Sequence, residues 1–211
     1  MLQSNSPIKR ENTNELGRLG GFFQFDQEPG VIYGISNNHV IANRNQCKQG
    51  DIICDMKNQP VGALSDWIRL NINSANDTEF ALFKINPGTP PVWNLWDQYS
   101  GKKPFGFKSP VVNMNVVYPV NGKLKNGIIQ SINTRTQINW MGDEYQFTNC
   151  IKIVAEDNSE FSDHGDSGGS LFTHDNYLVG IILGIKTDHS ATYAIPFENN
   201  ILNYYDLKIY G

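Results

Sequence analysis

The pentapeptide Gly165-Asp166-Ser167-Gly168-Gly169 constrains this 211-residue chain more than any other stretch, because its chemistry demands a partner from far upstream. A serine hydroxyl is a poor nucleophile at neutral pH and needs a positioned base to remove its proton. It also needs backbone N–H donors aimed at the oxyanion that forms when it attacks a carbonyl. Glycines before and after the serine let the main chain turn sharply enough to expose both. The candidate base is His39, within Asn37-Asn38-His39-Val40. A fold that uses both groups must bring an early and a late segment to one cleft.

Short runs of period-two alternation, separated by Gly, Asn, Asp and Pro, dominate the chain and predict an all-β fold. Strands are expected at Arg18–Phe25, Val31–Ser36, Asp51–Cys54, Val61–Leu70 and Glu79–Ile85. A connector rich in Pro and Trp, Asn86 to Pro110, follows. Strands resume at Val112–Tyr118, Lys125–Arg135, Gln137–Met141, Gln146–Val154, Ser170–Thr173, Tyr177–Lys186 and Ala191–Ile195. Two halves of similar size, 17–108 and 109–211, are each expected to close as a six-stranded antiparallel barrel. Residues 1–16 read as a flexible polar leader. The tail Phe197–Leu207, with Ile201, Leu202, Tyr204 and Tyr205, is expected to form a short helix.

At this length about 70% of the unfolded chain's surface can be buried, so the core needs no covalent staples. The three cysteines, Cys47, Cys54 and Cys150, cannot all pair, and read as reduced buried thiols. No C-x-x-C or H-x-x-x-H spacing occurs, so neither a metal nor a cofactor is expected. Net charge is −4 with scattered lysines, which argues against a nucleic-acid partner. The first twenty residues carry no apolar run, and no stretch has the length of a membrane span; the expectation is a cytoplasmic protein.

The pentapeptide also satisfies the G-x-S-x-G pattern of α/β-hydrolases. In that fold a helix follows the serine directly, and acid and base come later. Here Gly168-Gly169-Ser170-Leu171-Phe172-Thr173 follows, which is strand-like. The order His, acid, Ser fits better. The segment Tyr33-Gly34-Ile35-Ser36-Asn37-Asn38-His39-Val40 resembles the histidine motif of trypsin-like serine peptidases, and is similar to bacterial intracellular members with an S-N-N-H-V signature. Glu79-Phe80-Ala81-Leu82-Phe83-Lys84-Ile85 resembles their acid-bearing strand, D-x-A-L-x-K-I, with Glu in place of Asp. Arg18-Leu19-Gly20-Gly21-Phe22-Phe23 is similar to the family's opening strand. Asn126–Asn133 and Leu178–Gly184 with Ala191–Pro196 resemble later segments of HtrA-type domains.

The resemblance implies a chymotrypsin-like double barrel and a serine endopeptidase acting on polypeptides. Ser167 would attack and His39 would carry the proton, with Glu79 orienting the imidazole and Asp77 as the rival acid. The N–H groups of Gly165 and Ser167 would form the oxyanion hole. The strand Leu183-Gly184-Ile185 would pair with extended substrate. Phe161 would floor the specificity pocket with Ser162, Gly184 and Ala191 around it, disfavouring Lys or Arg. His164, His174 and His189 lie too near Ser167 to act as the base and read as solvated loop residues, His164 beside the substrate. Asp166 is expected to be held by local hydrogen bonds, without an activating cleavage. Two alternatives stay open: a binding module that lost turnover at the acid position, and an effector whose groove a regulatory partner opens through Trp93-Asn94-Leu95-Trp96. The same Trp-rich segment also reads as packing between the lobes.

Overall fold

Alternating side chains favour antiparallel ladders. The computed structural model, which describes residues 1–96, 99–157, 159–185 and 190–211, arranges them in two curled sheets and one two-stranded parallel ladder, Leu2–Gln3 with Pro91–Val92. In chain order the first strands are β1 (Leu2–Gln3), β2 (Pro7–Arg10), β3 (Gly17–Arg18), β4 (Gly21–Gln24) and β5 (Tyr33–Ser36). A one-turn helix, α1 (Asn38–Ile41), precedes β6 (Ile52–Asp55), β7 (Pro60–Trp67), β8 (Ala81–Ile85) and β9 (Pro91–Val92). Then come β10 (Asn115–Val120), β11 (Lys123–Trp140), β12 (Asp143–Ala155), β13 (Ser170–Phe172), β14 (Leu178–Ile185), β15 (Thr192–Pro196) and β16 (Lys208–Ile209).

The second lobe is a closed six-stranded barrel, β10-β11-β12-β15-β14-β13, as expected. The first differs from a six-stranded barrel. Its sheet has eight strands in the order β16-β4-β5-β8-β7-β6-β2-β3, because both chain ends join it. The fold is nearly all-β and chymotrypsin-like. Among the described residues no helix is long and apolar enough to cross a membrane. Expected strand positions Lys125–Arg135 and Gln137–Met141 fuse into the single long arm β11, and β8 starts at Ala81, not at Glu79. Lys186, the expected end of a strand, and His189 lie outside the described residues.

The leader is corrected by the structure. Its strand β2 pairs with β3 and β6, and Leu2 and Ile8 are buried in the first core. Asn5 is buried between the lobes, where its side chain donates to Pro119 O (3.0 Å) and accepts from Ser170 N–H (2.8 Å). Polar composition hid this role, since two apolar side chains and one well-placed amide suffice to anchor the segment. The tail is corrected too. A 3-10 turn, Ile201–Asn203, replaces the expected helix, and β16 then pairs with β4 of the other lobe.

The Trp connector ties the lobes together. Trp93 packs edge-on against Phe22 and Phe23 of the first core and donates from Nε1 to Tyr210 O (2.9 Å). Trp96 meets Phe172 of β13 at 5.7 Å between ring centroids. The three thiols are free, and burial pushes the Cys150 thiol up to about 12. If the leader is part of the core, Ile8→Ala costs about 3 kcal/mol in chemical denaturation, the range of a buried aliphatic truncation. A loss below about 0.5 kcal/mol would mean that β2 contributes nothing to the folded core.

Candidate active site

Each residue of Ser36-Asn37-Asn38-His39 has a separate structural task. Ser36 Oγ donates to Arg18 O (2.8 Å). Asn37 reaches into the second lobe and donates to Ile182 O (2.8 Å). Asn38 donates to Ile68 O (2.7 Å) and to Asn45 Oδ1 (2.8 Å), tying α1 to the loops behind it. His39 is thereby left facing the cleft.

Glu79 lies in the loop before β8, which leaves room for its extra methylene. It is fully buried, and its Oε1 accepts from the His39 backbone N–H and faces His39 Nδ1, both at 2.6 Å. A carboxylate at Nδ1 keeps the proton there and leaves Nε2 free to act as a base. Asp77 faces elsewhere: Tyr204 Oη donates to both its carboxylate oxygens (2.9 and 3.1 Å), and Asn200 Nδ2 binds its carbonyl. The period-two relation between Asp77 and Glu79 does not apply, because neither residue lies in a strand.

Ser167 sits in a turn with Gly165 and Gly168, both at φ +88°. At Gly168 a side chain would also overlap Ser36 Oγ and the Arg18 carbonyl, so glycine is required twice over. The amides of Asp166, Gly168 and Gly169 bind Asp163 O, Ile182 O and Asp166 O, at 2.8–3.1 Å. Those of Gly165 and Ser167 have no such partner among the described residues. The Ser167 hydroxyl donates to Leu183 O (3.2 Å). His39 and Ser167 line one cavity of about 280 Å³.

Asp166 is held by more than local bonds. Asp163 N–H donates to Oδ2 (3.0 Å), as expected, but Arg18 from the first lobe binds Oδ1 through Nε (3.1 Å) and Nη2 (3.0 Å). Both side chains are nearly buried, and Arg18 N–H also donates to Ser167 O (2.7 Å).

The residues expected around a specificity pocket do not all meet at one cavity. A second cavity beside Ser167, about 310 Å³, is lined by His164, Gly184 and Ile185. Phe161 is not its floor, because the ring packs against Tyr118 and the β11 backbone at Gly127, inside the second core. Ser162 is buried, bonded to Thr192 Oγ1 (2.6 Å), and Ala191 is buried as well. Leu183 turns its side chain into the core and offers its carbonyl. The walls come instead from Tyr193 and from the β11 residues Thr136, Ile138 and Trp140. Trp140 stacks on His39 at 4.2 Å and 23°, and is itself backed by Phe147 and Tyr145. Ile138 and Trp140 alternate with Gln137 and Asn139, which signals a face turned inward, but not toward what.

The trypsin family model matches residues 35–204, spanning His39, Glu79 and Ser167. The chain belongs to the trypsin family. It is a trypsin-like serine peptidase, a hydrolase whose fold implies polypeptide substrates. Its backbone is similar to Thermobifida fusca protease A (TM-score 0.69, 14% identity, 100% of this chain and 99% of that one). It is also similar to a Cellulomonas bogoriensis chymotrypsin (0.64, 17%, 99% and 98%) and to a glutamic acid-specific serine protease (0.70, 15%, 99% and 100%). No curated protein matches it in sequence. For this trypsin-family chain, Arg18→Met leaves the Asp166 carboxylate buried without its cation. The expected loss in a denaturation midpoint series is about 3 kcal/mol; an unchanged midpoint would mean that the ion pair does not hold the turn.

Proposed function

We propose that the chain is a serine endopeptidase in which Ser167, His39 and Glu79 form the catalytic triad. Ser167 Oγ attacks the scissile carbonyl while His39 Nε2 takes its proton. Glu79 holds the imidazole by Nδ1 and stabilises the imidazolium. The amides of Gly165 and Ser167 receive the oxyanion, and His39 then protonates the departing amine. Water, deprotonated by the same nitrogen, releases the acyl group from Ser167. The observation that carries this reading is the 2.6 Å contact between Glu79 Oε1 and His39 Nδ1. It favours turnover over a binding module that lost its acid.

Strand β13 pairs with β14 no further than Ile181, and β15 pairs with the other edge of β14 through Ile185. Leu183–Ile185 therefore presents an open edge, which supports pairing with extended substrate. The 310 Å³ cavity would take the side chain before the cleaved bond. Its lining of Thr136, Ile138 and Tyr193, with Asp163 already engaged by the His164 amide, suits an uncharged group.

A fluorophosphonate probe is expected to label the wild type and not Ser167→Ala. Glu79→Gln should lower kcat by about 10³–10⁴, as for loss of a triad carboxylate, and Asp77→Asn should stay within about twofold of wild type, since its contacts are to the tail. Unlabelled wild-type protein, or a larger loss from Asp77→Asn than from Glu79→Gln, would refute the assignment.

A further inference from the structure

The residues Asn43, Arg44 and Asn45, which follow α1, all have left-handed backbones, with φ of 48°, 54° and 74°. Left-handed conformations are ordinarily visited by single residues, and a run of three persists only where surrounding structure enforces it. Here the enforcement is visible. Asn45 N–H donates to Asn38 Oδ1 (3.1 Å), Asn45 Nδ2 donates to Leu70 O (2.8 Å), and Leu70 N–H returns a bond to Asn45 Oδ1 (3.0 Å). Asn43 Nδ2 braces the far side on Gln46 (3.0 Å).

This held turn carries Arg44 to the wall of the cavity that contains His39 and Ser167. Its guanidinium is half-engaged. Nη2 donates to Asn43 Oδ1 (3.2 Å), while Nε is buried without a partner and no carboxylate pairs with it among the described residues. The one carboxylate on the same wall, Glu15, is paired with Arg10, which also binds Val40 O (3.2 Å). Among the described residues the cavity therefore presents one uncompensated cation. Its side of the cleft follows from the chemistry. The imidazole must return its proton to the departing amine, so the segment after the cleaved bond lies against His39, and the acyl segment lies along β14.

We propose that Arg44 is a specificity-determining residue that binds a substrate carboxylate just after the cleaved bond. The carboxylate is an Asp or Glu side chain in the first two positions, or a free C-terminus lying there. A guanidinium meeting a carboxylate in a partly desolvated wall forms a strong charge-assisted pair. The inference rests on the peptidase reading above, and its test is chosen to separate the two.

A proteome-derived peptide library, digested with wild type and sequenced by mass spectrometry at equal titrated active sites, should show acidic residues enriched roughly tenfold over Lys and Arg in those positions. Internal cleavages assign the side chain as the source; release of one- or two-residue C-terminal fragments assigns the terminal carboxylate. Arg44→Glu should reverse the preference toward Lys and Arg. Arg44→Gly, which suits the left-handed backbone and so preserves the turn, should abolish it, and Arg44→Lys should retain part of it. Labelling by fluorophosphonate with no acidic preference, or a preference that survives in Arg44→Gly, overturns the role of Arg44 alone. Absence of both labelling and cleavage overturns it together with the peptidase reading.

Discussion

The ion pair between Arg18 and Asp166 is the constraint on which the cleft depends. It joins the first strands of one lobe to the residue beside Ser167 in the other, with both groups nearly out of water. A buried pair is costly to form and costlier to break, because removing one partner strands the other's charge. The same Arg18 supplies the amide that caps Ser167 O, so backbone and side chain act on one turn. The geometry of that turn is therefore set by the docking of the lobes, not by the pentapeptide alone.

Around this pair the lobes are sewn together by short polar side chains. Asn5, Asn37 and Ser170 each span segments distant in sequence, and each satisfies a main-chain group that docking would otherwise bury unpaired. Asn76 adds a further bridge, donating to Gln146 O beneath the long β11–β12 hairpin. This abundance of asparagine is an economical way to join irregular backbone: one amide both donates and accepts. It also explains why the cleft is framed by loops whose conformations the neighbouring strands impose.

The long hairpin gives the cleft a wall that a minimal barrel would lack. Its tip brings Trp140 over the His39 ring and places Ile138 and Thr136 along the pocket beside Ser167. The imidazole is thus fixed from two directions, by Glu79 at Nδ1 and by the indole on its face. On the opposite side, the leader contributes Glu15 and Leu16 to the wall that also holds Arg44. Both additions come from segments that look ordinary in sequence, one an alternating arm and the other a polar terminus.

The all-β class and the closed second barrel were legible in the residues, because alternation is local and survives without coordinates. Family resemblance left Glu79 and Asp77 both open, and only the fold puts Glu79 against His39. The leader, the eight-stranded first sheet and the β16 return were not legible, since Leu2, Ile8 and Ile209 give too weak an apolar signal to name a partner strand. The pocket was misassigned at Phe161 for a related reason. An apolar residue six before a nucleophile fits either a pocket floor or a barrel core, and only packing against Tyr118 and Gly127 decides between them. Sequence by itself determined which groups are candidates for the chemistry, because a serine between glycines, an upstream histidine and an intervening carboxylate are defined by residue type and order. Tertiary structure alone decided what surrounds them, because Arg18, Trp140 and Arg44 reach the cleft through long-range packing and a strained turn that no local pattern encodes.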